Sequence, residues 1–182
     1  MFDQIAQFLL EVFANLFGAA LLFRTWLIFV RVPFVHPLVQ ALLQLTDWLV
    51  LPLRRIISIW KNIDLAAILA AWLIALVYLL LKLALNGFDF TLFFPQILIV
   101  ALLTLIKWLI KLCMWMVIVY VLMSWINPRA PAMMIVALLL APVLNPIKRI
   151  LPNLGGLDLS PFVLVVMAQI MLFIVYSLER SF

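Results

Sequence analysis

The chain has 182 residues, 70% of them hydrophobic, and a mean hydropathy of +1.35. A soluble domain is about 45–50% apolar, and the excess here cannot be hidden in a core of this size, so lipid must act as solvent for much of the surface. The net charge of +5 does not call for nucleic acid, because Lys and Arg gathered in cytoplasmic connections give the same balance.

Four segments read as membrane spans of about 20 residues each. The first, Ile5–Val30, is apolar except for Glu11, Asn15 and Arg24. It lacks the positive start of a signal peptide, since Asp3 and Glu11 precede the first cation, and is read as a retained helix. The stretch Pro37–Leu51 follows, with Gln40, Gln44 and Asp47 on one helical face. That is the pattern of a helix lying in the interface. The second span is Leu65–Leu85, and the third lies within the long segment Leu92–Ile126. Next comes Pro131–Pro142, wholly apolar but only about 18 Å long as a helix, which reads as re-entrant or interfacial. The fourth span is Pro161–Leu178.

The cations lie mostly in two connections. Arg31, Arg54, Arg55 and Lys61 fall between spans one and two; Arg129, Lys148 and Arg149 fall between spans three and four. The turn between spans two and three has only Lys82 and Asp89. The distribution of Lys and Arg places both basic connections in the cytoplasm and both termini on the opposite side. Cys113 and His36 are single residues of their kind. They exclude an intramolecular disulfide and a zinc site; Cys113 reads as a packing residue and His36 as a loop residue.

The chain repeats itself. Leu51-Pro52-Leu53-Arg54-Arg55-Ile56 aligns with Asn145-Pro146-Ile147-Lys148-Arg149-Ile150 at an offset of 94, as does Ile63-Asp64-Leu65 with Leu157-Asp158-Leu159. Thr25-Trp26 aligns with Ser124-Trp125 at an offset of 99. Each copy then runs: span, short helix, Pro-x-basic-basic turn, Asp, span. Two spans per copy give the copies one orientation, as parallel repeats, with repeat one at residues 1–86 and repeat two at 87–182. The fold class is all-α and polytopic.

The run Leu144–Pro152, continuing through Gly155-Gly156-Leu157-Asp158-Leu159-Ser160-Pro161, resembles the signature of the YggT family, called YlmG in other lineages. Ser124-Trp125 at the end of span three resembles it too. The first copy departs from the pattern: Ser58-Ile59-Trp60-Lys61-Asn62 replaces the Pro and Gly-Gly, and Ala66-Ala67 replaces Ser-Pro. The resemblance implies a small bacterial inner-membrane protein, with relatives in chloroplasts. It also implies a link to osmotic tolerance and potassium homeostasis, to division or nucleoid organisation, or to biogenesis of membrane complexes, with no agreed biochemical activity.

The candidate residues fall into two sets. The surface set is Pro52, Arg54, Arg55 and Asp64 with Pro146, Lys148, Arg149, Pro152, Gly155, Gly156, Asp158, Ser160 and Pro161. Pro52 and Pro146 end the preceding helices, and the cations then anchor the topology and meet anionic lipid head groups or a protein partner. Asp64 reads as an N-cap. Ser160 reads as the corresponding cap in repeat two, and each Asp is also free to pair with the basic turn of its own or of the other repeat. Gly155-Gly156 permits a tight turn.

The intramembrane set is Glu11, Arg24, Lys107 and Lys111. Ionisable residues inside spans are functional hypotheses by default. Arg24 can snorkel to the cytoplasmic side and Glu11 to the other. Lys107 and Lys111 are i, i+4 neighbours. They either mark the boundary of a span that begins near Lys107 or lie mid-helix and line a polar path facing Glu11. No nucleophile–base pair, metal cluster or phosphate loop stands out, so neither an enzyme nor a cofactor is expected. Two functions follow: an accessory or scaffold protein working through lipids, membrane-protein partners or its own oligomer, or a small, oligomeric channel or transporter component for ions, potassium-related by the family resemblance.

Overall fold

The computed structural model describes residues 2–33, 37–55, 57, 62–86, 94–150 and 158–181. Its regular elements are six α-helices: α1 (Phe2–Val30), α2 (Pro37–Arg54), α3 (Leu65–Leu85), α4 (Phe94–Ile126), α5 (Pro131–Ile150) and α6 (Ser160–Glu179). All but α2 are long and apolar enough to cross a bilayer. The chain is an all-α, multi-pass membrane protein. Lipid as solvent also explains why many of its large apolar side chains point outward: Phe8, Trp48, Trp115, Trp125, Phe162 and Phe173 are all exposed. A protein in water would bury them.

Two expectations about helix ends change. Pro52 and Pro146 do not end their helices, for α2 runs on to Arg54 and α5 to Ile150. A proline removes one intrahelical bond and displaces one carbonyl, but the residues beyond it can still bond backward, as Ile57 N–H does to Leu53 C=O at 2.9 Å. The apolar stretch that begins at Pro131 therefore spans 20 residues, or about 30 Å, with Pro142 and Pro146 both inside it. Length and composition alone thus allow a fifth crossing.

The two proline-led helices start 94 residues apart, at Pro37 and Pro131. The five residues by which the first copy is longer therefore fall before α2: Trp26 to Pro37 is 11 positions, and Trp125 to Pro131 is 6. α1 closes with Arg31 at φ 63°. Arg31 N–H bonds to Ile28 C=O and Val32 N–H to Leu27 C=O, both at 3.0 Å. That is a Schellman ending, with an arginine where glycine is usual.

The chain forms two compact units, and the division falls inside α4. In the unit made of Met1–Leu109 and Glu179–Phe182, α1 packs along α3 and α2 packs on both. The α3 face is a row of fully buried alanines: Ala66, Ala67, Ala70, Ala71 and Ala75. Small residues let backbones approach closely, which is the main attraction available between helices in lipid. On α1, Ala14, Gly18, Leu21 and Leu22 are buried. A β-carbon on Gly18 would lie 2.2 Å from the Trp108 ring, so the glycine is where that ring rests on the α1 backbone. The Trp108 indole N–H also donates to Asn15 Oδ1 at 2.6 Å. In the unit Ile110–Leu178, α6 buries one stripe: Pro161, Leu164, Ala168 and Val175.

Candidate functional site

The best-built polar site lies where α1, α2 and the start of α3 meet. Asp64 is fully buried and caps α3, accepting from Ala67 N–H at 3.3 Å. The same carboxylate accepts from Arg24 Nε at 3.3 Å and from Arg54 Nη2. Arg24 is 1% exposed; its Nη1 donates to Thr46 Oγ1 and to Asp47 Oδ1, each at 2.7 Å. The Thr46 hydroxyl in turn donates to Leu42 C=O at 2.6 Å. Two positive and two negative side chains thus share one small volume. A buried arginine without such partners would be very costly, whereas this cluster of paired charges ties three elements together.

A third arginine reaches the same segment. With the Asn62 amide assigned so that its oxygen faces the guanidinium, it accepts from Arg31 Nη2 at 2.8 Å and from Nε at 2.9 Å. Asn62 itself has φ 71°, a left-handed conformation that asparagine tolerates better than most residues. Arg24, Arg31 and Arg54 therefore converge on Asn62–Asp64, the entry to α3. Arg24 Nη2 and Arg54 Nε are buried and make no hydrogen bond.

This corrects the reading of Arg24 as a snorkelling residue. It turns inward because acids from two other elements lie within reach. Thr46 and Asp47 were not singled out as its partners. Asp47 was read as part of the polar face of α2, and the missing signal was the need of a mid-span arginine for an acid.

The second unit carries a simpler version at the matching positions. Lys148 Nζ pairs with Asp158 Oδ2 at 2.7 Å, ten residues apart, as Arg54 and Asp64 are. The pair is open to its surroundings, with side chains 40% and 39% exposed. Lys148 Nζ also lies 5.8 Å from the centre of the Tyr120 ring. Asp158 Oδ1 accepts from Ser160 N–H at 3.0 Å. Burial alone would push this carboxyl's pKa up; the hydrogen bonds from Lys148 and Ser160 outweigh it and hold the pKa below its ordinary value of 3.8. Ser160 is the first residue of α6 rather than its cap, since the helix ladder already begins one residue earlier, with Val163 N–H on Leu159 C=O. Pro161 follows it, buried.

Each basic turn divides its two cations in the same way. The first, Arg54 or Lys148, goes to the aspartate ten residues on; the second, Arg55 or Arg149, is exposed. Ile56, Lys61, Pro152, Gly155, Gly156 and Leu157 of the two motifs lie outside the described residues, as do His36 and Asp89.

The intramembrane charges separate. Glu11 is exposed. Lys107 does not face it; its Nζ holds both oxygens of Glu179, at 2.8 and 2.7 Å. Glu179, at the end of α6, drew no attention in the sequence because it sits beside Arg180 in a terminal tail. Lys111 is half-buried. α4 is one continuous helix of 33 residues, about 50 Å long, so both lysines lie in its middle and no break precedes Lys107. Among the described residues no three His, Cys, Asp or Glu side chains gather as a metal site.

Comparison with known proteins identifies the family. The family described as CCB3/YggT matches residues 4–85 and 99–178. "Uncharacterized protein YggT" of Escherichia coli strain K12 is 34% identical over 164 residues, covering 90% of this chain and 85% of the relative. A Pseudomonas aeruginosa protein is 35% identical over 158 residues, covering 86% and 80%. A Vibrio alginolyticus protein, "Uncharacterized protein in proC 3'region", is 32% identical over 164 residues, covering 90% and 89%. No solved structure matches. Two matched segments, each holding a basic turn and its aspartate, show that the chain belongs to the CCB3/YggT family.

Proposed function

We propose that the protein is a non-enzymatic accessory or scaffold factor of the bacterial inner membrane, acting in osmotic tolerance and membrane homeostasis. The observation that carries this is the repeated turn. In each copy one cation locks the entry of the next helix and its neighbour stays exposed at the surface. Two such exposed cations, Arg55 and Arg149, suit anionic head groups or an acidic patch on a membrane-protein partner, at about 1 kcal/mol per cation near a lipid surface. The osmotic setting comes from the family resemblance.

On this reading the chain is two parallel repeats, 1–86 and 87–182. α5 is the counterpart of α2 and lies at the interface or re-enters, its two internal prolines allowing the bend that this needs. Both turns then face the cytoplasm and both termini the other side, as the distribution of Lys and Arg requires. Cysteines placed at Arg55 and Arg149, in a chain with Cys113 replaced, label from the same side on this topology. Labelling from opposite sides would make α5 a true crossing and remove the parallel repeat.

The rival reading is an ion-conducting oligomer with Lys107 and Lys111 in its path. Pairing of Lys107 with Glu179 weakens it, because a charge held by two carboxylate oxygens is poorly placed to line an open route. The accessory role is tested in cells by Arg55→Gln with Arg149→Gln. Survival of osmotic upshift falls if the exposed cations matter; full survival with normal protein levels would refute the role given to them.

A further inference from the structure

We propose that the cleft between the second half of α4 and the start of α6 is a binding site for a phospholipid with a zwitterionic, primary-amine head group of the phosphoethanolamine type. The ammonium goes to Asp158, the phosphate lies beside Lys148, and an acyl chain fills the cleft.

The cleft has a volume of about 690 Å³ and a wall of Val117, Val121, Phe162 and Val165. Tyr120, Ser124 and Asp158 supply its polar edge. Lys148 stands at the same edge through its contacts with Asp158 and Tyr120. A largely apolar cavity with a few convergent polar groups is the usual form of a small-molecule site. In a membrane protein the abundant apolar ligand is lipid.

The head group follows from a comparison of the two copies. Asp64 is closed: it takes Arg24, Arg54 and Ala67 N–H and is wholly buried. Among the described residues Asp158 has one cation, Lys148, and its side chain is 39% exposed. The register of Thr25-Trp26 on Ser124-Trp125 places Met123 where the first copy has Arg24, and the register of the prolines places Ala141 where it has Asp47. Among the described residues the second copy therefore has no counterpart of the Arg24 cation that completes the first copy's site.

A primary ammonium supplies that cation and its N–H donors. Its phosphate, carried on the same head group, meets Lys148, so the lysine, the carboxylate, the ammonium and the phosphate alternate in sign. A choline head group has no N–H to give. An anionic glycerol head group brings a second negative charge beside Asp158 and leaves Lys148 alone to offset both.

This deepens the lipid contact of the accessory reading and rests on it only for the membrane setting. It does not involve Arg55 or Arg149, so failure here leaves the test of those two residues untouched. Full chain in mild detergent is mixed with equal amounts of phosphatidylethanolamine, phosphatidylcholine and phosphatidylglycerol of identical acyl chains. Bound lipid is then counted by native mass spectrometry. The expected result is a preference for the ethanolamine lipid of at least about tenfold, the size one charge-assisted hydrogen bond gives. Asp158→Asn removes the preference. Val121→Trp, which fills the cleft and leaves the ion pair in place, removes binding while the melting curve shows a folded protein. Equal binding of the three lipids, a preference for choline or glycerol head groups, or retained ethanolamine binding in folded Val121→Trp protein would each overturn the proposal.

Discussion

Asp64→Asn keeps the shape of the side chain and its ability to cap α3, because Asn serves at that position about as well as Asp. It removes only the charge. Arg24, 1% exposed, then keeps Asp47 as its one acidic partner, and Arg54 loses its carboxylate altogether. Breaking a buried ion pair from one side costs about 3–5 kcal/mol, which is about two to three and a half powers of ten in the folded-to-unfolded ratio. Arg24→Met, the residue the second copy carries at this place, should cost less, about 1–3 kcal/mol. Asp64 keeps Arg54 in that variant, and Asp47, 37% exposed, can be solvated. The double variant should cost less than the sum of the two by at least about 1 kcal/mol, since the residues share one network. Unfolding by denaturing detergent in mixed micelles at neutral pH measures all four corners of this cycle. Losses below about 1 kcal/mol for Asp64→Asn, or additive losses, would refute the reasoning that the cluster holds α1, α2 and α3 together.

Gly18→Ala should destabilise by about 1–3 kcal/mol through overpacking, because its β-carbon meets the ring of a buried tryptophan held in place by Asn15; combination with Trp108→Ala should remove most of the extra cost, read from melting curves. Glu179→Gln should cost about 1–3 kcal/mol, the range for hydrogen bonds to charged groups, and the exchange Lys107→Glu with Glu179→Lys should restore much of the loss in the same assay. Asp158 has a folded pKa below its ordinary 3.8, so its stabilising effect is complete above that value and disappears as pH falls through the folded pKa. An acid titration of melting temperature should show this limb, and Asp158→Asn should lack it.

How much of this was legible in the sequence depended on whether the signal was local. α3 was placed at Leu65–Leu85 from hydropathy, and α2 was expected from Pro37 with Gln40, Gln44 and Asp47 on one face, because period and composition are properties of the segment itself. Pairing of each basic turn with its own aspartate was readable as one of two options from the equal spacing of ten residues. The partners of Arg24 were not readable. Arg24 and Asp64 are 40 residues apart, and only the docking of α1 on the alanine face of α3 brings them together. Lys107 and Glu179 are 72 residues apart and were missed for the same reason. The continuation of α5 to Ile150 was missed because a proline was taken to end a helix, when its effect is confined to one turn.

The most direct test of the central claim, an accessory protein with its buried charges locked in pairs, is potassium flux through the purified full chain in sealed liposomes, with and without an osmotic gradient. The account predicts flux no greater than in protein-free liposomes under both conditions. Flux that appears with the folded chain and vanishes when Lys107 and Lys111 are neutralised would contradict it and place an ion path along α4.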